Sequence, residues 1–501
     1  MNFLDNQAAP IRENRLGVGV AFGGTCREAR RAASQGCLNQ ARRSFSQTHG
    51  CEFTLSLAIT STFRNAVIVM HGPIGCGSCV IASAGGAKGY RRLRDPAAEG
   101  LIWLNTNLGE NDVVGGGEDK LARAILHADR KFRPEIIVVP VSCVPALVGD
   151  DVDTLLHGLQ AEVGAKLVPV HCPGFRSKVM ATAYDDVYHG LLKTLVRKND
   201  DQSNEKILND ELQEMRRRYI AGRTVNILNV SSMARADELE LERLLRVLDL
   251  RTRFLPCYSE SLEFRESLES ALNVSVCGTH DDYFLEHLKS LFGIPFMIDT
   301  IPIGPRNTGR WLLGVADRFG LSDRARRLID AEETILEEAI VPYREFFQGK
   351  KAFLSGGEVR IVATAELLRY LGLEIVGFKG HHFDHFSEPA FEELPGLEGT
   401  VFLVGTQQPF EQVNLIQRLK PDVFVGHTGS NNISARQGIP ILPLFGNSHA
   451  YMGYAGVFEV ARNLRRVMLN GSFNHLLAEH CPLPYRKSWY EKDPFSYIVD
   501  H

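Results

Sequence analysis

No stretch of this 501-residue chain approaches the ~20 consecutive apolar residues needed to cross a bilayer. The opening MNFLDNQAAPIRENRLGVGV has no basic segment followed by an apolar one, as a secretory leader would, so a cytoplasmic protein with no membrane partner is expected. Charge of one sign is also missing. Lys and Arg total 56 against 60 Asp and Glu, a balance that gives no general attraction to nucleic acid or anionic lipid. No fixed-period repeat or low-complexity tract is present. A Gly-x-x-x-x-Gly-Lys-Ser/Thr phosphate loop is absent too, so any nucleotide hydrolysis must come from another chain. Cysteine is sparse at ten residues, and in a reducing compartment these are expected as thiols, metal ligands or catalytic groups rather than disulfides. Their positions therefore matter more than their number.

The composition that remains, 44% apolar and 23% charged, is that of a folded protein with a large core, and the length allows roughly three or four domains of ~150 residues. Short β-branched runs end in a Gly, Cys or His turn and lead into helical patterns: NAVIVMHG (65–72), EIIVVPVS (135–142), TVNILNV (224–230), KAFLSGG (351–357), TVFLVGT (400–406) and PDVFVGH (421–427). Strands alternating with helices predict parallel sheets of right-handed βαβ units. The expected architecture is α/β, with three Rossmann-like parallel-sheet domains near 40–200, 220–320 and 350–470, and irregular or helical extensions at 1–39 and 471–501. KNDDQSNEK (198–206) reads as a linker, and 293–307 with the helical stretch 322–349 marks a second boundary. Ligands of such sheets bind beyond the carboxyl ends of strands. Cys76, Cys143, His171 with Cys172, Cys277, His381 with His382, and His427 fall there.

Scattered cysteines are more often buried structural thiols than ligands. Around Cys76, however, Gly75 and Gly77 let backbone approach a bulky group and leave amides free for sulfide. Cys76 and Cys79 resemble half of a zinc site, but no second Cys-x-x-Cys exists to complete it. Soft thiolates presented from separate segments suit iron–sulfur clusters.

These residues also carry a resemblance. MHGPIGCGSC is similar to the His-Gly-Pro-x-Gly-Cys-Gly signature of nitrogenase alpha subunits, and SCVPALVGDDVD to their Cys-Pro-x-x-x-x-Gly-Asp-Asp segment. GGGEDKLARAI (115–125), VPVHCPGFRS (168–177), FGIPFMIDTIPIGPRNTGRWLLGVA (292–316), FLSGGEVR (353–360) and YMGYAGVFEVARN (451–463) match in the same order, so the likeness spans about 45–465. It implies that Cys51, Cys76 and Cys143 hold a P-cluster-like [8Fe-7S] relay shared with a beta-like subunit in an α2β2 assembly. It further implies that Cys277 holds one end of a large nitrogenase-type iron–sulfur cofactor, its heterometal undefined. The family's histidine at the other end aligns with Pro443, which cannot ligate; His449 is the expected replacement, with His427, His381 and His382 in reserve. A separate homodimeric ATP-hydrolysing [4Fe-4S] reductase is the implied electron donor, docking near Glu118 and Asp119 in 107–121.

Departures from the family bear on the substrate. A Gln and a His near the cofactor are replaced by Met180 and Tyr184. An Arg on the Gly-Gly loop aligns with Val359 beside Arg360, and the short residue gating the cluster is Ile59. With His381, these form the expected pocket. It loses a proton donor and becomes more apolar, which argues against dinitrogen. Within the superfamily the chain most resembles the alpha-like subunit of methylthio-alkane reductases, which cleave C–S bonds of small organic sulfur compounds in anaerobic sulfur salvage. A dinitrogen-reducing alpha subunit, a cofactor-assembly scaffold and a tetrapyrrole reductase subunit are the alternatives. Cys26, Cys37, Cys79, Cys172, Cys257 and Cys481 match no ligand and are expected as structural thiols.

Overall fold

The computed structural model describes residues 6–35, 50–78, 91–98, 100–196, 210–229, 233–405, 409–426, 428–444 and 449–495. The linker read at 198–206, His427, Cys37 and Cys79 lie outside them. The first strand, β1 (Phe22–Thr25), joins the third sheet below.

The first sheet is β2 (Ala66–Met70), β3 (Ile102–Asn105), β4 (Ile136–Val141) and β5 (Lys166–His171), all parallel in the order β3-β2-β4-β5. Its central strands AVIVM and IIVVPV are buried along their whole length, as expected where helices cover both faces of a parallel sheet. The second sheet is β6 (Thr224–Asn229), β7 (Arg251–Pro256), β8 (Leu272–Ser275) and β9 (Phe296–Met297), parallel in the order β7-β6-β8-β9. These two sheets belong to one compact unit, residues 1–12, 50–235 and 245–298.

The second compact unit takes residues 13–49, 236–244 and 299–501. Its strands β10 (Lys351–Gly356), β11 (Glu374–Gly380), β12 (Val401–Val404), β13 (Val423–Gly426) and β14 (Ile441–Pro443) lie in the order β1-β12-β11-β10-β13-β14. All are parallel except β1, which runs antiparallel along β12. The three expected sheets are therefore present but are distributed over two units, and the stretch expected as an irregular N-terminal extension supplies an edge strand. FGGT lacks the β-branched run that marks a strand, and its pairing comes from the β12 edge. The helical stretch expected at 322–349 is a single helix, Ser322–Phe347.

In each sheet one gap between neighbouring strands is where the chain leaves in opposite directions, and a ligand crevice opens at the carboxyl ends there. The gaps are β2/β4, β6/β8 and β10/β13. The turns that follow them carry His71 to Cys76 and Cys143; Cys277; and Gly357 to Arg360.

Candidate metallocluster sites

At the β2/β4 gap, backbone hydrogen bonds continue past the strands: His71 N–H donates to Pro140 O at 2.9 Å and Ser142 N–H to His71 O at 3.0 Å. The two turns lie so close that a side chain on Gly72 would collide with Ser142 Oγ. Cys143 opens the helix Cys143–Val148 and Cys51 precedes the helix Glu52–Thr60, so both thiols sit at helix N-termini. They converge on Gly174. A Cβ there would stand 2.5 Å from Cys51 Cβ, 3.0 Å from Cys51 Sγ and 3.8 Å from Cys143 Sγ. Cys76 lies on the adjoining turn, and Cys51 and Cys76 pack against the same apolar core. All three are half-buried. Among the described residues no group of three His, Cys, Asp or Glu side chains gathers around a position for a single ion, so these thiols do not by themselves form a mononuclear site. Soft thiols on a glycine-lined crevice fit a polynuclear iron–sulfur group.

The segment CPGFR shows why its residues occur together. Gly174 leaves room for the thiols, while Arg176 grips the carboxylate of Asp186 at 2.5 and 2.6 Å and reaches Glu52, beside Cys51, at 3.3 Å. Cys172 is fully buried, and burial pushes its thiol well above the usual range, which is the behaviour of an inert core thiol.

At the β6/β8 gap Cys277 is 4% exposed and precedes the helix Gly278–Phe292. Its own N–H donates to Ser275 Oγ at 2.9 Å; Ser275 and Tyr188 in turn donate to Asp281 at 2.7 and 2.9 Å. The helix Thr182–Thr194 packs alongside and sets the Tyr184 ring on His280, with centroids 4.2 Å apart and planes 33° apart. Arg12, fully buried, ties the two helices. It donates to Asp185 at 2.7 and 3.1 Å and to Thr279 O, and its guanidinium lies 5.6 Å from the Tyr184 ring centroid. Truncating it would strand a buried carboxylate, so Arg12→Met is expected to destabilise the fold by about 3–5 kcal/mol; equilibrium urea denaturation measures this.

The other expected pocket residues fall in distinct places. Met180 Sδ lies 3.5 Å from where a Cβ on Gly50 would be, beside the Cys51 turn. Ile59 is completely buried in the core with Phe53, Tyr188 and Phe284. In the second unit, Arg360 is 4% exposed and donates to Tyr451 Oη at 2.7 Å, while Asp237 accepts the Tyr451 and Met452 N–H groups at 2.7 and 2.9 Å. His449, half-buried, precedes that anchored segment. His381 follows β11, next to His382, whose N–H donates to Glu358 at 2.7 Å and whose ring approaches Asp384 at 3.3 Å. Burial pushes Glu358 up to about 7.

The segment 107–121 is less acidic in structure than in sequence. Lys120 pairs with Asp112 at 2.7 Å, Glu118 accepts the Asp151 N–H at 3.2 Å, Asp119 is exposed, and Val114 stands 91% exposed at the tip. Sequence reasoning passed over His71, Asp150, Gly174, Arg176, Arg12 and His280. All but Arg12 and His280 lie inside the matched motifs, which was the available signal. No helix among the described residues is long and apolar enough to cross a membrane.

Crevices at sheet switch points lined by cysteine thiols point to a class, the multi-sheet α/β redox metalloproteins. The nitrogenase component 1 type oxidoreductase model matches residues 51–469, and the chain belongs to that family. It is 26% identical over 436 residues to the nitrogenase iron-molybdenum cofactor biosynthesis protein NifE of Rippkaea orientalis, covering 86% of this chain and 87% of that one. It is 24% identical over 452 residues to the nitrogenase molybdenum-iron protein alpha chain of Methanothermobacter marburgensis, covering 84% and 87%. A solved structure titled nitrogenase Cp1 at pH 5 superposes with a TM-score of 0.71 at 20% identity over 88% of this chain and 92% of the other. The fold is that of a nitrogenase component 1 chain.

Proposed function

We propose that this chain is the alpha-like subunit of an ATP-dependent reductase that cleaves C–S bonds of small methylthio-alkanes. The observation carrying this reading is the Tyr184–His280 stack one helical turn from Cys277, with Tyr184 at the position that aligns with the family's His. Cys51, Cys76 and Cys143 would hold the relay shared with a beta-like subunit, and Cys277 would anchor the active-site cofactor. When bound, these groups supply low-potential electrons, delivered by a separate ATP-hydrolysing iron–sulfur protein. The chain's own residues bind and orient the substrate. The Tyr184 ring would accept an apolar group, each buried methylene gaining about 0.8 kcal/mol, and its hydroxyl would serve as proton source for the departing carbon. The overall change consumes two electrons and two protons; one C–S bond breaks, one S–H and one C–H bond form, and dimethyl sulfide gives methanethiol and methane.

The test is headspace gas chromatography of the reconstituted complex with ATP, a strong reductant and dimethyl sulfide. Methanethiol with methane is expected, and ammonia from dinitrogen without methanethiol would overturn the reading. The identity to NifE favours a second reading, a cofactor-assembly scaffold. A cluster that is retained, never turns over and passes to an apo-acceptor would establish it.

A further inference from the structure

One buried histidine joins the turns of two relay cysteines to the surface segment 107–121. His71 is fully buried at the end of β2. Its backbone holds Ser142, the residue before Cys143, and its chain continues through Gly72 and Pro73 into the Cys76 turn. Its ring lies 2.9 Å from Asp150 Oδ2 through Nε2 and 3.2 Å from Thr106 Oγ1 through Nδ1.

Asp150 only accepts, so Nε2 carries a proton. Thr106 Oγ1 accepts the Gly72 N–H at 3.0 Å, and its own proton is within reach of Nδ1 at 3.2 Å and of Gly72 O at 3.4 Å. Burial lowers the imidazole's pKa. Asp150 also accepts the Gly117 N–H at 3.1 Å, at the start of the helix Glu118–Phe132. The fit is tight: a Cβ on Gly117 would stand 2.8 Å from His71 Cε1 and 2.7 Å from Asp150 Oδ2. The far end of the segment is tied as well, Leu108 N–H donating to Gly72 O at 3.1 Å.

We propose that His71 and Asp150 are positioning residues that hold segment 107–121 in register with the Cys76 and Cys143 turns, so that a protein gripping the exposed segment acts on the relay thiols through them. This rests on the function proposed above, with the gripping protein being the ATP-hydrolysing electron donor. Removing the link should slow delivery of electrons from that donor without removing the relay.

The experiment compares Asp150→Asn and Gly117→Ala with the unaltered complex in three readings: the relay's spectroscopic signal on chemical reduction, affinity for the donor, and the rate of ATP-driven relay reduction. The first two should be unchanged while the third falls roughly tenfold, an ordinary size for coupling between sites. His71→Gln, whose amide can still donate to Asp150, should recover part of the rate, and His71→Leu should not. An unchanged rate, or one that falls only in proportion to relay content, overturns the proposal. If the unaltered complex itself shows no relay signal, the proposed function fails and this inference with it.

Discussion

Cys277→Ala is expected to abolish retention of the active-site cofactor while leaving the relay in place. Cys277 is held by its own amide on Ser275 Oγ and by the Ser275–Asp281 and Tyr188–Asp281 bonds. Its backbone is thus fixed at the β8 end. Cys257, also buried, accepts from the Thr62 hydroxyl at 3.1 Å. Alanine removes the anionic donor without disturbing that scaffold, so the fold and the Cys51–Cys143 crevice should survive. Iron and heterometal analysis of the anaerobically purified complex, alongside spectroscopy of the relay, separates the two groups. Turnover should fall to background, and retention of the full metal content in the variant would refute the assignment.

How far the sequence foretold this arrangement differs between elements for physical reasons. The central strands were plain because a parallel sheet buried on both faces needs unbroken Val and Ile runs, as in AVIVM and IIVVPV. Arg251–Pro256 and Phe22–Thr25 were not, the first because RTRFLP opens with two arginines around a threonine and ends in proline, the second because it is half glycine. Both become strands through an edge that only tertiary structure supplies. The thiol positions were legible through motif resemblance, whereas their supports were not. Arg12 lies 173 positions from Asp185 in sequence, and nothing local signals that it is fully buried. Spacing from the Cys172 analogue grouped Met180 with Tyr184, yet the chain turns between them. Met180 borders Gly50, while Tyr184 opens onto the helix after Cys277.

The relay crevice yields the other large effect, and Gly174 is the sharper probe of it. Cys143→Ala deletes one ligand, and its relay signal should disappear together with part of the affinity for the beta-like chain, because a group shared across an interface links metal binding to assembly. Gly174→Val leaves every thiol present but places a Cβ 2.5 Å from Cys51 Cβ and 3.8 Å from Cys143 Sγ. Cys51 Cβ is anchored to backbone at a helix start and cannot swing aside like the end of a flexible chain, so the crevice must open or the thiol must leave it. Both variants should therefore lose the relay signal, read by low-temperature spectroscopy and iron content, and should elute from size exclusion with less beta-like partner. Cys172→Ala, a fully buried thiol that is not among the proposed ligands, is the control and should keep both signal and partner. Full iron content and wild-type turnover in Gly174→Val would mean that the relay does not occupy the space between Cys51 and Cys143, whatever else those cysteines do.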